Sequence, residues 1–480
     1  MIGREPEISI MHDLLITSKS EMLSVFGRRR VGKTYLIREV YKNEMIFDFV
    51  GTQFSNKKTQ LQKFADKLSE RFNGGIPIKR PASWYQAFET LKGYLDNLPK
   101  TKKKRVIFFD ELPWIDSHRS GFLQEFGYWW NDWASKKNLV VVICGSAASW
   151  MIRKVINHKG GLHNRVTQQI HLKPFTLYET QKLLQSKNIN LPEYHILQLY
   201  MITGGVPHYL ENVQRGESAS QTIDRMCFTK DGILQSEFNN LYNALYDYPE
   251  NHIKVIRALA ESRTGLTRSD IQKKTGIATG GGLTKVLEEL EQSSFISSLS
   301  PIFKSSKETL YRLVDEYSLF YLNFIEKQKL NTSHIWQSIS QEQRYVSWCG
   351  YAFENVCIRH VNAIKNALNI GGIRTQVGSF YRKKTETEEG FQIDLLIERA
   401  DKGINICEMK FYADDLIITE QIATTLRKRR ESFRRHVKKK KYALFNTIIT
   451  PFGVVDNKWK LDQMDNVITA KDLFQLTVFE

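Results

Sequence analysis

Met22-Leu-Ser-Val-Phe-Gly27-Arg28-Arg29-Arg30-Val31-Gly32-Lys33-Thr34-Tyr35 joins an apolar run to a glycine-bounded loop and then to an amphipathic segment ending at Val40. The run from Met22 to Phe26 predicts a strand, and the segment from Tyr35 predicts a helix. Between them, Gly27 and the triplet Gly32-Lys33-Thr34 fall at the spacing G-x-x-x-x-G-K-[ST]. Such a loop turns successive backbone N–H groups inward. The helix N-terminus adds partial positive charge, so a polyphosphate fits there. Gly27, Arg28, Arg29, Arg30, Val31, Gly32, Lys33, Thr34 and Tyr35 are therefore expected to form a nucleotide site. Lys33 is expected to reach the β- and γ-phosphates, and the Thr34 hydroxyl to ligate Mg²⁺.

Downstream, Arg105-Val-Ile-Phe-Phe-Asp110-Glu111 reads as a strand buried on both faces. Its two acids stand at the C-terminal end, where open parallel sheets bind ligands. Asp110 is expected to hold Mg²⁺, through water, and Glu111 to polarise the attacking water. Leu139 to Ser149 is a further buried strand ending in small polar residues. Ser146 or Ser149 is a candidate γ-phosphate sensor, the alternative being a capped glycine turn. Phe122, Phe126, Trp129, Trp130 and Trp133 recur at helical spacing and read as a packing face rather than a base-stacking platform. Arg165, after the pair Gly160-Gly161, is a candidate to meet the γ-phosphate in cis or in trans, or else a surface arginine.

The 480 residues imply roughly two to four domains. With 41% hydrophobic and 12% aromatic residues the chain can bury real cores, which excludes disorder. No apolar run approaches the length that spans a bilayer, about 18 residues, and Met1-Ile-Gly-Arg-Glu-Pro-Glu7 holds no signal-peptide core. The 5 cysteines are scattered without metal-type pairing, as expected of reduced thiols in a cytoplasmic protein. A net charge of +17 favours an anionic partner, nucleic acid before membrane. The expected partner is nucleic acid, DNA before RNA though charge does not separate the two, and a homo-oligomer is left open.

From Leu177 to Leu210 short helices are expected, broken at Pro192 and at Gly204-Gly205. From His252 three helices and two strands (295–297 and 309–314), with Lys304 and Lys307 in a basic loop between the strands, spell a winged helix. Its third helix carries Glu288, Glu289 and Glu291 against Lys285, which favours a protein-contacting or spacer role over reading a DNA groove. Further on, Glu354 lies on an amphipathic helix, Asp394 interrupts an apolar strand, and Glu408 and Lys410 share one face of a second strand. An acid followed by D…E-x-K on neighbouring strands can gather three carboxylates around Mg²⁺. A lysine beside them can orient water against a phosphodiester. The run from Arg427 to Lys441 holds ten basic residues and one acid, suited to a phosphate backbone.

Two resemblances follow. The opening Gly3-Arg4-Glu5, the loop from Gly27 to Thr34, the Asp110-Glu111-Leu-Pro-Trp stretch, Cys144-Gly-Ser146 and Gly204-Gly-Val-Pro207 resemble the archaeal-type ATPases of the AAA+/STAND lineage. That resemblance covers residues 1 to about 240. It implies that Ile2, Gly3 and Arg4 lie over the adenine of ATP and that the Gly-Gly-x-Pro turn belongs to a helical lid. The C-terminal pieces resemble the restriction-endonuclease-like PD-(D/E)xK fold, with Ile393 in place of the motif's proline. By position Glu354, Asp394, Glu408 and Lys410 match its centre, and Gln421 is an auxiliary candidate. The expected architecture is α/β. A P-loop parallel-sheet core (1–175) is followed by a helical lid (176–245), a winged helix (246–330) and a nuclease-like domain (340–480). The expected function is an ATP-driven switch or motor coupled to a Mg²⁺-dependent nuclease. The alternative is an ATP-regulated adaptor whose nuclease-like fold only binds.

Overall fold

The computed structural model describes residues 1–480 apart from 118, 158–161, 163, 279, 300–301, 303–308, 329–334, 383–389, 438–440 and 477–480. Gly160, Gly161, Lys304, Lys307 and the lysines at 438–440 thus lie outside the described residues. The chain divides into two compact units, Met1–Lys173 with Gln292–Ser294, and Pro174–Glu291 with Phe295–Glu480.

In the first unit five strands, β1 (Glu21–Phe26), β2 (Met45–Val50), β3 (Arg105–Asp110), β4 (Leu139–Gly145) and β5 (Gln168–His171), form a parallel sheet in the order β2-β3-β4-β1-β5. Alternation along each strand feeds two separate cores. Leu23, Val25, Val106, Phe108, Val140 and Val142 pack with Met11, Leu36 and Ile37 from helices Glu5–Ile16 and Lys33–Val40. Their neighbours Met22, Phe26, Ile107, Phe109, Val141 and Ile143 pack with Phe64, Trp84, Phe88, Phe126 and Trp129 from helices Lys57–Phe72, Trp84–Asp96 and Phe122–Asp132. A strand covered on both faces can be apolar at every position, which is why β3 and β4 read as continuous hydrophobic runs. The aromatic helix Phe122–Asp132 is a packing face. Because β1 and β4 pair in register with Phe26 opposite Gly145, and β4 also pairs with β3, the ends carrying Gly27, Asp110 and Ser146 fall on one edge.

The second unit opens with helices Leu177–Ser186, Glu193–Thr203, Pro207–Leu210, Ala219–Phe228 and Glu237–Leu245. At the Gly204-Gly205 turn, Gly205 has φ 68°, and a Cβ there would meet the Phe175 carbonyl oxygen at 2.2 Å. Only glycine fits both conditions. Helices Glu250–Ala260, Arg268–Thr275 and Gly281–Gln292 follow, with an antiparallel sheet of β6 (Leu266–Thr267), β7 (Ile296–Leu299) and β8 (Leu310–Leu313) in the order β6-β8-β7. Strand β6 is additional to the two strands expected there. Thr267 pairs with Leu310 through its backbone while its side chain caps the next helix, so the capping signal hid the strand. The acidic face read on Gly281–Gln292 also changes: Glu289 is buried and pairs with His252 at 2.8 Å, and Glu291 accepts from the Ser298 N–H.

The remaining residues place helix Gln343–Arg359 before a second five-stranded sheet, β13-β12-β11-β10-β9. Its strands are β9 (Thr375–Arg382), β10 (Phe391–Arg399), β11 (Gly403–Met409), β12 (Ala443–Ile449) and β13 (Asn466–Ile468). The first two pairings are antiparallel and the last two parallel, with helix Glu420–His436 crossing between β11 and β12.

Candidate functional site

The first cluster forms where β1 gives way to helix Lys33–Val40. Gly27 has φ 150°, and a Cβ on it would meet the Leu172 carbonyl oxygen at 2.2 Å, so the loop leaves β1 by a path open only to glycine. Lys33 is buried, and its Nζ donates to the Gly27 and Arg28 carbonyls at 2.9 Å each. A fixed ammonium is therefore held against the start of the Gly27–Thr34 loop. The Thr34 hydroxyl donates to Asp110 Oδ2 at 2.7 Å. These two groups are hard oxygen donors meeting at one point, the kind Mg²⁺ takes, so the residues fit that ion.

Glu111 has φ 49°, a conformation uncommon outside glycine. Its own N–H donates to Asp110 Oδ1 at 2.9 Å. Its carboxylate Oε2 accepts from the Ser146 N–H at 3.2 Å and from the Ser146 hydroxyl at 2.9 Å. Burial pushes the Glu111 carboxyl up and neighbouring Asp110 pushes the same way, against the pull of Lys33. A carboxylate raised in this manner is a better proton acceptor near neutral pH. Ser146, read as a phosphate sensor, here holds Glu111; Ser149 is buried on the short helix Ala148–Met151.

Before helix Glu5–Ile16, Gly3 and Arg4 both adopt positive φ. Arg4 is buried and donates to the Val31 carbonyl at 3.3 Å and the Lys173 carbonyl at 2.7 Å. This ties the Ile2-Gly3-Arg4 turn to the last residues of the loop. Tyr35 points out to solvent, and Arg165 is exposed at the turn before β5. His171, stacked on Phe26 at 4.9 Å, was not anticipated. Burial, with Lys173 and Lys33 nearby, lowers its pKa to about 4.

With this geometry the N-terminal part can be set beside known proteins. Residues 1–213 match a family described as an ATPase domain predominantly from Archaea. This part of the chain is therefore similar to archaeal-type ATPase domains. Over 417 residues the chain is 23% identical to an uncharacterized protein of Methanocaldococcus jannaschii, across 85% of this chain and 87% of that one. A Walker-type ATPase of Pyrococcus abyssi aligns with 67% of this chain and 96% of its own at 18% identity and TM-score 0.49. The ORC2 protein of Aeropyrum pernix, in ADPNP and ADP complexes, aligns with 66% and 90% at 15% identity and TM-score 0.39.

A second cluster lies within the second unit. Glu354 from helix Gln343–Arg359, Asp394 from β10, Glu408 from β11 and Lys410 line one cavity of about 1070 Å³. The β9–β10 pairing slips between Ile393 and Leu396, and that irregularity carries Asp394 out of the regular pleat. Lys410 Nζ lies 3.0 Å from Glu408 Oε1, and Arg429 pairs with Glu408 Oε2. Gln421 is exposed and does not line the cavity. The expected Mg²⁺ set of Glu354, Asp394 and Glu408 is altered by a residue absent from the sequence reading. Arg312 of β8 donates to Glu354 Oε2 at 2.9 Å and to Asp394 Oδ1 at 3.1 Å. Its signal was a lone cation inside the otherwise apolar Leu310-Tyr-Arg-Leu-Val314. Burial and the nearby Asp394 push the Glu354 carboxyl up to about 7, against the pull of Arg312.

Among the described residues no helix is long and apolar enough to cross a membrane. All five cysteines are buried and free, and burial raises the pKa of Cys144, Cys227, Cys349, Cys357 and Cys407.

Proposed function

We propose that this protein is an ATP-binding and ATP-hydrolysing switch or motor that acts on a nucleic-acid partner, DNA before RNA. One observation carries the reading. The Thr34–Asp110 contact at 2.7 Å puts the hydroxyl that follows Lys33 against the acid that ends β3, with Glu111 next in the chain. Mg²⁺ bound with the nucleotide would offset phosphate charge in the transition state. Around it, the amides from Gly27 to Thr34 bind the phosphates, Lys33 orients them, and Glu111, aimed by Ser146, takes the proton of the attacking water. Ile2, Gly3 and Arg4 cover the adenine, and Arg165 supplies a cation to the γ-phosphate, in trans if the protein assembles as a homo-oligomer.

The helices from Leu177 to Leu245 serve in this reading as a lid. The helices and sheet from Glu250 to Leu313 act as a winged-helix spacer, with Glu289 committed to His252 instead of a groove. The basic helix Glu420–His436 meets the phosphate backbone. The adaptor reading is favoured at the C-terminal cavity by Arg312, which stands between two of the acids a nuclease would give to its metal. Phosphate release by the purified chain, compared with Glu111→Gln, tests the main proposal. Turnover equal in the two proteins would reject Glu111 as the base, and no affinity for adenine nucleotides would reject the switch.

A further inference from the structure

A PD-(D/E)xK centre works through a divalent cation held by its acids, and here the residues present do not fit one. Mg²⁺ takes oxygen ligands at about 2.0–2.1 Å in near-octahedral array. Glu354 and Asp394 instead offer their oxygens to the two terminal nitrogens of the Arg312 guanidinium, at 2.9 and 3.1 Å. The same Asp394 oxygen accepts from Gln392 Nε2 at 2.7 Å. The third acid, Glu408, is already paired with Lys410 and Arg429. A guanidinium does not deprotonate in a protein, so it cannot make way for a metal by losing its charge. It is also firmly held: the side chain is 1% exposed, and its carbon lies 4.8 Å from the centroid of the Tyr351 ring. Among the described residues no group of three or more acids, histidines or cysteines is disposed to bind a metal.

The charges of the cavity point to what it takes instead. Arg312, Lys410 and Arg429 answer the three acids; Arg312 is buried behind them, while Lys410, Arg429, Arg263, Lys428 and Arg435 line the cavity itself. Among the described residues the charged groups lining the cavity are in positive excess, which suits a polyanion. We propose that the Arg312 guanidinium stands where a nuclease of this fold would hold its metal ion, so that the cavity binds a phosphodiester backbone without a metal and leaves it intact. The ligand half of this inference rests on the nucleic-acid partner proposed above; the metal half does not.

The test uses the full chain without nucleotide. A labelled DNA duplex is titrated in EDTA and in Mn²⁺, Mn²⁺ uptake is followed by calorimetry, and supercoiled plasmid is incubated with Mg²⁺ or Mn²⁺. Expected are equal duplex affinity in both buffers, no Mn²⁺ uptake and no nicking. The pair Lys428→Glu and Arg435→Glu should weaken the duplex at least about tenfold. Arg312→Gln, which keeps a hydrogen-bonding amide but removes the charge, should gain Mn²⁺ uptake. Uptake by the wild-type chain that disappears in Asp394→Asn, or nicking that disappears in Glu408→Ala, would overturn the metal half alone. So would a folded Arg312→Gln that still takes up no Mn²⁺. Absence of duplex binding in either buffer would overturn the ligand half together with the nucleic-acid partner. Each variant's fold is checked by circular dichroism before its reading is used, and duplex binding in the two buffers is read on the wild-type protein.

Discussion

Two acid clusters in this chain look alike in sequence and differ in what answers them. Asp110 is met by a neutral hydroxyl, Thr34, at 2.7 Å. Glu354 and Asp394 are met by the permanent cation of Arg312. A hydroxyl can turn to share a metal with the acid beside it, because it keeps two lone pairs. A buried guanidinium has only donors and a fixed charge, and it competes with the metal for the same oxygens. In the proposed reading, similar acids would therefore serve an ion site in one place, while they form an ion-pair site in the other. The partner decides.

The contrast can be broken first at Glu111. Glu111→Gln should slow phosphate release by about 10²–10⁴-fold with nucleotide affinity retained, whereas Glu408→Ala should leave ATP turnover unchanged. Next comes stability. Arg312→Ala strips the cation from two part-buried acids and should cost about 3–5 kcal/mol in chemical denaturation. Thr34→Val removes only a hydroxyl and should cost about 1 kcal/mol while greatly weakening the metal–nucleotide complex. Equal costs for the two would erase the distinction.

Acid should act on both regions through buried histidines. His360 is buried, accepts from the Leu177 N–H at Nε2 (3.0 Å), and donates from Nδ1 to the Val356 carbonyl (2.8 Å). Burial lowers its pKa to about 4, as it does for His171. Both stay neutral in the folded chain where the unfolded chain would be protonated. The unfolded state thus binds more protons between the ordinary histidine value and about 4, and stability falls as pH drops through that window. For His360 the loss is about 3 kcal/mol at most, and His360→Gln should flatten the melting temperature against pH there.

Much of this was legible in the chain because the signals are local. The strand–loop–helix around Lys33, the apolar β3 ending in Asp110-Glu111, and the helix–strands–helix order near Glu408 are each set by short-range periodicity. What escaped was long-range. Nothing near Arg312 in sequence says that its charge will be met by Glu354 and Asp394, 42 and 82 positions later. Glu289 counts in sequence as one of three acids on its helix, because its partner His252 lies on another helix 37 positions earlier. Ser146 was legible as a polar residue at a strand end, but its hold on Glu111 depends on the β3–β4 pairing.

The most direct test counts metal ions. Mn²⁺ bound per chain, measured by electron paramagnetic resonance with and without a non-hydrolysable ATP analogue, should be one with the analogue and none without it, and Lys33→Ala should abolish the one. A bound Mn²⁺ that ignores the analogue, or an analogue that brings none, would contradict the account.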